Sequence, residues 1–227
     1  MTTETYLAIL KWAEERSGIK RLTPEYEVTA ILFDADRITP LDMLKHFSGS
    51  NASFFKTLKA LEAKEVIKAE ENPSDRRSKL YRLSDRTLEI LAWQWEQYNR
   101  AGREDLYALD DPGEALRQYT KTITQRLRVK QFTCEYQILL YLFASPGLTN
   151  IKFHNLVDVS KAKFNMSLVS LEKSGHIYFE RDPSDRRKKL YYLSEREKNL
   201  GTEMGRKIFE WLNSQSERFA AIQAGKA

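Results

Sequence analysis

The chain has 227 residues, with 37 Lys plus Arg against 32 Asp plus Glu, 41% apolar residues and a single cysteine. That balance excludes a disordered chain, a disulfide scaffold and, for want of a long uninterrupted apolar run, a membrane-spanning protein. At about 100–150 residues per typical domain the length fits two small domains, and the charge divides unevenly: residues 1–110 hold 17 basic and 19 acidic side chains, residues 111–227 hold 20 and 13.

Met1 to Lys20 begins polar and carries Glu4, Glu14 and Glu15 without an apolar core or a small-residue cleavage site, so no secretory signal and a cytoplasmic location are expected. Tyr6, Ile9 and Ala13 mark one face of a first helix. Thr23-Pro24-Glu25 opens a second with a threonine N-cap, Thr39-Pro40 opens a short third, and Ser50 opens a fourth that runs to Lys64. Short extended stretches at Val66 to Ala69 and Lys79 to Leu83 flank a Pro-Ser-Asp turn, which predicts a β-hairpin, and a long helix follows from Asp85 to about Gly102.

The order then repeats. Asp111-Pro112-Gly113-Glu114 starts a helix with Leu116, Tyr119, Ile123 and Leu127 on one face. Thr133-Cys134-Glu135, Thr149-Asn150 and Ser160 open the next three, the last ending at Ser174-Gly175. Ile177 to Glu180 and Lys189 to Leu193 form the second hairpin, and Ser194-Glu195-Arg196-Glu197 reads as a capping box for a final helix reaching about Ala221. At an offset of 110 residues, Leu22 to Ser84 gives 24 identities in 63 gap-free positions. A period this long implies duplicated domains rather than a solenoid. The predicted fold class is mainly α with small β wings (α+β): two tandem winged helix-turn-helix domains, residues 1–105 and 106–227, joined by long helices.

The sharpest repeated motif is "NPSDRRSKLYRLS" (Asn72 to Ser84) and "DPSDRRKKLYYLS" (Asp182 to Ser194). It resembles the wing of the MarR family of bacterial transcription regulators, an Asp-x-Arg turn followed by an alternating strand and a Leu-Thr/Ser helix start. The tandem arrangement is similar to the two-domain members of the related SarA group. The resemblance implies that Arg77 and Arg187 are wing-tip arginines entering the minor groove, with Asp75 and Asp185 bracing them or the neighbouring Arg76 and Arg186. An arginine on a narrow turn suits a groove about 6 Å wide, and its planar fork bonds base-edge acceptors. A merely solvated turn needs only its Pro and Asp; both arginines recur.

On the fourth helix, Phe54, Leu58 and Leu61 share a buried face, which leaves Ser53, Lys56 and Lys59 outward with Ser50 and Asn51 at the start. The equivalent set is Ser160, Lys161, Lys163, Asn165, Met166 and Ser170. Small side chains permit close approach to a duplex, while Lys, Ser and Asn suit phosphates and base edges. Met166 suits a thymine methyl or, with Val169, a domain contact. Lys79, Lys188 and Lys189 add charge at the wings.

His46, His154 and His176 are scattered, one cysteine excludes a zinc ribbon, and no phosphate loop or nucleophile elbow occurs, so no enzyme activity, cofactor or metal is expected. Cys134, in the slot of Pro24, is either an inert buried thiol or an oxidant sensor. Trp93, Trp95, Tyr98, Tyr107, Trp211 and Phe219 are expected to pack the junction between the halves or between two chains, leaving room for a small-molecule effector. The expected partner is double-stranded DNA, bound by a monomer acting as a pseudo-dimer or by a homodimer. Replication or plasmid-maintenance initiation, or a protein-interaction scaffold, are the rival readings.

Overall fold

A computed structural model describes residues 5–101 and 112–224. Its first half runs α1 (Tyr6–Ser17), α2 (Pro24–Ala35), α3 (Pro40–His46), α4 (Asn51–Ala63), β1 (Ile67–Glu71), β2 (Lys79–Leu83) and α5 (Asp85–Ala101). The second runs α6 (Pro112–Leu127), α7 (Cys134–Ala144), β3 (Leu148–Thr149), α8 (Asn150–Leu156), α9 (Lys161–Lys173), β4 (Ile177–Arg181), β5 (Lys189–Leu193), α10 (Glu195–Ser214) and α11 (Ser216–Gln223). Each half is a helix-turn-helix followed by a β wing, so the α+β winged-helix class expected from the sequence is the one found.

Local chemistry explains the element starts. Thr23, Thr39, Thr133 and Thr149 each hold an extended backbone and accept the amide of the residue three positions on, at 3.2–3.5 Å. This satisfies one of the donors that a helix start leaves open. The wings are antiparallel, in register from Ile67 opposite Leu83 to Glu71 opposite Lys79, and from Ile177 opposite Leu193 to Arg181 opposite Lys189. β3 adds a short third strand to β5, where the first half has a single bridge between Ile38 and Tyr81. Phe54, Leu58 and Leu61, like Phe164, Leu168 and Leu171, are buried. Gly175 ends the α9 turn with φ 72°, and Glu65 takes the same left-handed conformation after α4 with φ 58°.

The halves meet through contacts that obey the repeat. Leu22 and its equivalent Phe132 form an antiparallel bridge. The Thr23 amide donates to the Gln131 carbonyl at 3.0 Å, and the Thr133 amide donates to the Arg21 carbonyl at 2.9 Å. The two hydroxyls also cross: Thr133 Oγ1 donates to the Lys20 carbonyl at 2.5 Å, and Thr23 Oγ1 donates to that of Lys130. The same exchange governs the helices, since α1 packs on α10 of the second half and α6 packs on α5 of the first. Residue i touching j′ while i′ touches j is the pattern of a two-fold contact, here contained within one chain.

Two expectations need correction. The last helix is not continuous to Ala221: it breaks at Gln215, where the Ser214 hydroxyl donates to the Trp211 carbonyl at 2.6 Å. A serine bonding back to its own turn competes with the helix ladder, and the break lets α11 pack on α5. The capping box is half formed. Ser194 Oγ accepts the Glu197 amide at 3.4 Å, but the Glu197 carboxylate lies 2.8 Å from His176 Nδ1, and the Ser194 amide donates to the His176 carbonyl. Burial of both side chains makes the histidine the better partner.

Of the residues named for the start and the junction, Met1 to Glu4, Tyr107, Asp111 and the side chains of Trp95 and Tyr98 lie outside the described residues. Trp211 packs on Tyr6 and Phe33 at ring-centroid distances of 5.2 and 6.1 Å, Phe219 stacks on Phe33 at 5.5 Å, and Trp93 lies under the Arg126 guanidinium at 4.1 Å. Among the described residues no helix is long and apolar enough to cross a membrane, and no His/Cys/Asp/Glu cluster is suited to a metal.

Candidate nucleic-acid interface

Each half presents one exposed helix face beside one basic hairpin tip. Both hairpin loops open on an Asx turn: Asn72 Oδ1 accepts the Ser74 amide at 3.0 Å, and Asp182 Oδ1 accepts the Ser184 amide at 2.8 Å. The next aspartate shapes the tip. Asp75 Oδ1 accepts the Arg77 amide at 3.0 Å, and Asp185 Oδ1 accepts the Arg187 amide at 3.2 Å. Arg76, Arg77, Arg186 and Arg187 are all exposed.

The bracing expected of the aspartates differs between the tips. Asp185 Oδ1 also accepts Arg187 Nε at 3.1 Å while Oδ2 lies 3.5 Å from Lys188, and the Arg187 side chain is still 91% exposed. Hydrogen bonds from Arg187 hold the Asp185 carboxyl below its usual range. Asp75 reaches only the backbone of Arg77, and none of the ion pairs among the described residues involves Arg76, Arg77 or Lys79. Lys189, the counterpart of Lys79, instead lies 3.5 Å over the Phe179 ring and 3.8 Å from Glu172.

The helix faces also diverge. Ser50 and Ser160 spend their hydroxyls capping α4 and α9, accepting the Ser53 and Lys163 amides at 3.2 and 3.3 Å. Asn51, Lys56 and Lys59 are exposed, and Ser53 is half-buried. Phe55, which the helical wheel did not single out, is exposed beside them. On α9, Lys161, Asn165 and Ser170 are exposed, Met166 is 70% exposed and Val169 49%. Lys163 is drawn aside: its ammonium lies 2.8 Å from Glu135 Oε1, which also accepts the Ser167 hydroxyl at 2.6 Å. That hydrogen bond raises the Lys163 ammonium above its ordinary range.

Cys134 is buried, and desolvation pushes its thiol up. A reactive thiol needs the opposite shift and access to solvent.

No family model matches the chain. Neither does any curated protein. Among solved structures, the chain is similar to wild-type MarR in its apo form from E. coli, at 21% identity and a TM-score of 0.31, over 52% of this chain and 87% of that one. It is similar to the PcaV transcriptional regulator from Streptomyces coelicolor at 23% identity and a TM-score of 0.31, over 41% and 71% of the two chains. It is also similar to reduced AbfR bound to DNA at 21% identity and a TM-score of 0.30, over 57% and 91%. These likenesses extend over 41–57% of this chain and 71–91% of the other chains.

Proposed function

We propose that this protein is a sequence-specific double-stranded DNA-binding transcription regulator in which the two winged-helix repeats of one chain, residues 1–105 and 106–227, act as a pseudo-dimer. The observation that carries the reading is the duplicated, exposed Asp-Arg-Arg hairpin tip beside an exposed helix face, on two halves that touch in the manner of a two-fold dimer. In this reading α4 and α9 enter the major groove and Arg77 and Arg187 the minor groove, where a guanidinium finds acceptors and a concentrated negative potential. Because Lys56 and Lys59 of α4 correspond to Met166 and Val169 of α9 in the repeat, the two half-sites differ. A cavity of about 320 Å³ bounded by Tyr26, Phe33, Tyr136 and Trp211, drawn from both halves, is where a small-molecule effector would act on their relative position.

The test is selection of bound fragments from genomic DNA by the full chain, followed by fluorescence anisotropy across a salt series. The expected result is enrichment of particular promoter fragments, bound with nanomolar affinity and a steep linear fall of log affinity with log salt. Equal affinity for every duplex, or none, contradicts the reading. Enrichment of repeated origin sites instead of promoters would point to replication initiation.

A further inference from the structure

The repeat keeps the shape of α4 and α9 and exchanges the chemistry of their outer faces. The two helices align without a gap, and their buried positions match: Phe54, Leu58 and Leu61 against Phe164, Leu168 and Leu171. At three exposed positions the polarity is reversed. Phe55 of α4 stands where α9 has Asn165, Lys56 where it has Met166, and Lys59 where it has Val169.

Core packing does not account for the apolar side of these exchanges. Phe55 is 47% exposed, Val169 about as much, and Met166 more. Phe55 meets the buried Phe54 edge to face, with ring centroids 5.2 Å apart and planes at 74°, so its free side is held in place before anything binds. Asn51, Phe55 and Lys59 form one row along α4 at four-residue spacing, and Lys161, Asn165 and Val169 form the equivalent row along α9. Each apolar side chain therefore lies among lysine and asparagine, on the face beside an arginine-bearing wing tip.

An apolar protein surface seated on such a face would bury lysines without partners, at a cost. The major groove satisfies both kinds of group at once: phosphates and guanine edges pair with lysine, adenine pairs with asparagine, and the one apolar group on a base edge is the C5 methyl of thymine. We propose that Phe55 in the first half, and Met166 with Val169 in the second, are specificity-determining residues that read thymine methyl groups. The proposal rests on the DNA-binding reading and adds to it the chemistry of each half-site. Because apolar and polar positions are exchanged between α4 and α9, the thymines that are read fall at different base steps in the two.

The test is anisotropy of the full chain on the selected fragment, with the thymidines of one half-site, then of the other, replaced by deoxyuridine. That change removes the methyl and keeps every hydrogen-bonding group. Each replacement is expected to weaken binding by about fourfold or more, the effect of one buried methyl. Phe55→Asn should erase the loss in one half-site alone, and Met166→Lys combined with Val169→Lys should erase it in the other. Each substitution brings in the residue that the opposite half carries at an exposed position, so circular dichroism should be unchanged. The loss is read as a ratio within one variant, which cancels the effect of added charge. Affinity indifferent to deoxyuridine in either half-site, a loss that persists in either variant, or half-sites free of thymine overturns the proposal. A duplex bound without these effects sinks the proposal alone, whereas a chain that binds no duplex sinks the DNA-binding reading with it.

Discussion

Replacing Arg77 and Arg187 together with alanine is expected to abolish high-affinity DNA binding while leaving the thermal transition in place. Both side chains are exposed on hairpin tips whose turns are held by Asp75 and Asp185 acting on backbone amides, so truncation removes no packing. Each arginine that reaches base edges is worth about 1–3 kcal/mol, and well-separated sites add. The double variant should therefore lose between roughly thirtyfold and twenty-thousandfold in affinity, measured by anisotropy on the selected fragment. Of the single variants, Arg187→Ala should cost more: Asp185 already holds that guanidinium, so less freedom is lost on binding, whereas Arg77 must be ordered by the DNA. Unchanged affinity in the double variant would rule out the wing-tip arginines as DNA contacts.

The second large effect concerns the junction. Thr23 and Thr133 each cap a helix and donate to a carbonyl of the other half. Replacing both with alanine removes two caps, each worth about 1 kcal/mol, and two hydrogen bonds of about 1 kcal/mol each. The expected loss is about 2–4 kcal/mol, a large part of a stability of roughly 5–15 kcal/mol, and Tm should fall by on the order of 10 °C. Thr39 and Thr149 provide the control, for they cap α3 and α8 without bonding to the other half. Their double alanine variant should lose about half as much. Calorimetry distinguishes the cases, and equal losses in the two pairs would deny the junction its energetic role.

These two results also mark what could be read from the chain alone. Caps, hairpins and the repeat were legible because each is local: a threonine or serine bonds an amide three residues away, and a Pro-Ser-Asp turn closes on itself. The buried faces of α4 and α9 followed from helical spacing. Long side chains escaped that logic, since a helical wheel gives a direction and not a reach. Lys163 leaves the outward face for Glu135, and Lys189 folds back along the wing onto Phe179 and toward Glu172. The exchange of α1 and α6 between halves, the break at Gln215 and the His176–Glu197 pair depend on residues far apart in the chain. Only the repeat itself hinted at the exchange, through the expectation that duplicated halves would pack as dimers do.

Footprinting of the selected fragment, combined with the mass of the complex from analytical ultracentrifugation, tests most directly whether one chain reads DNA as two readers. The account predicts one chain per site, protecting two half-sites of unlike sequence centred about one helical turn, ~10 bp, apart. Two chains on a perfect palindrome would contradict it.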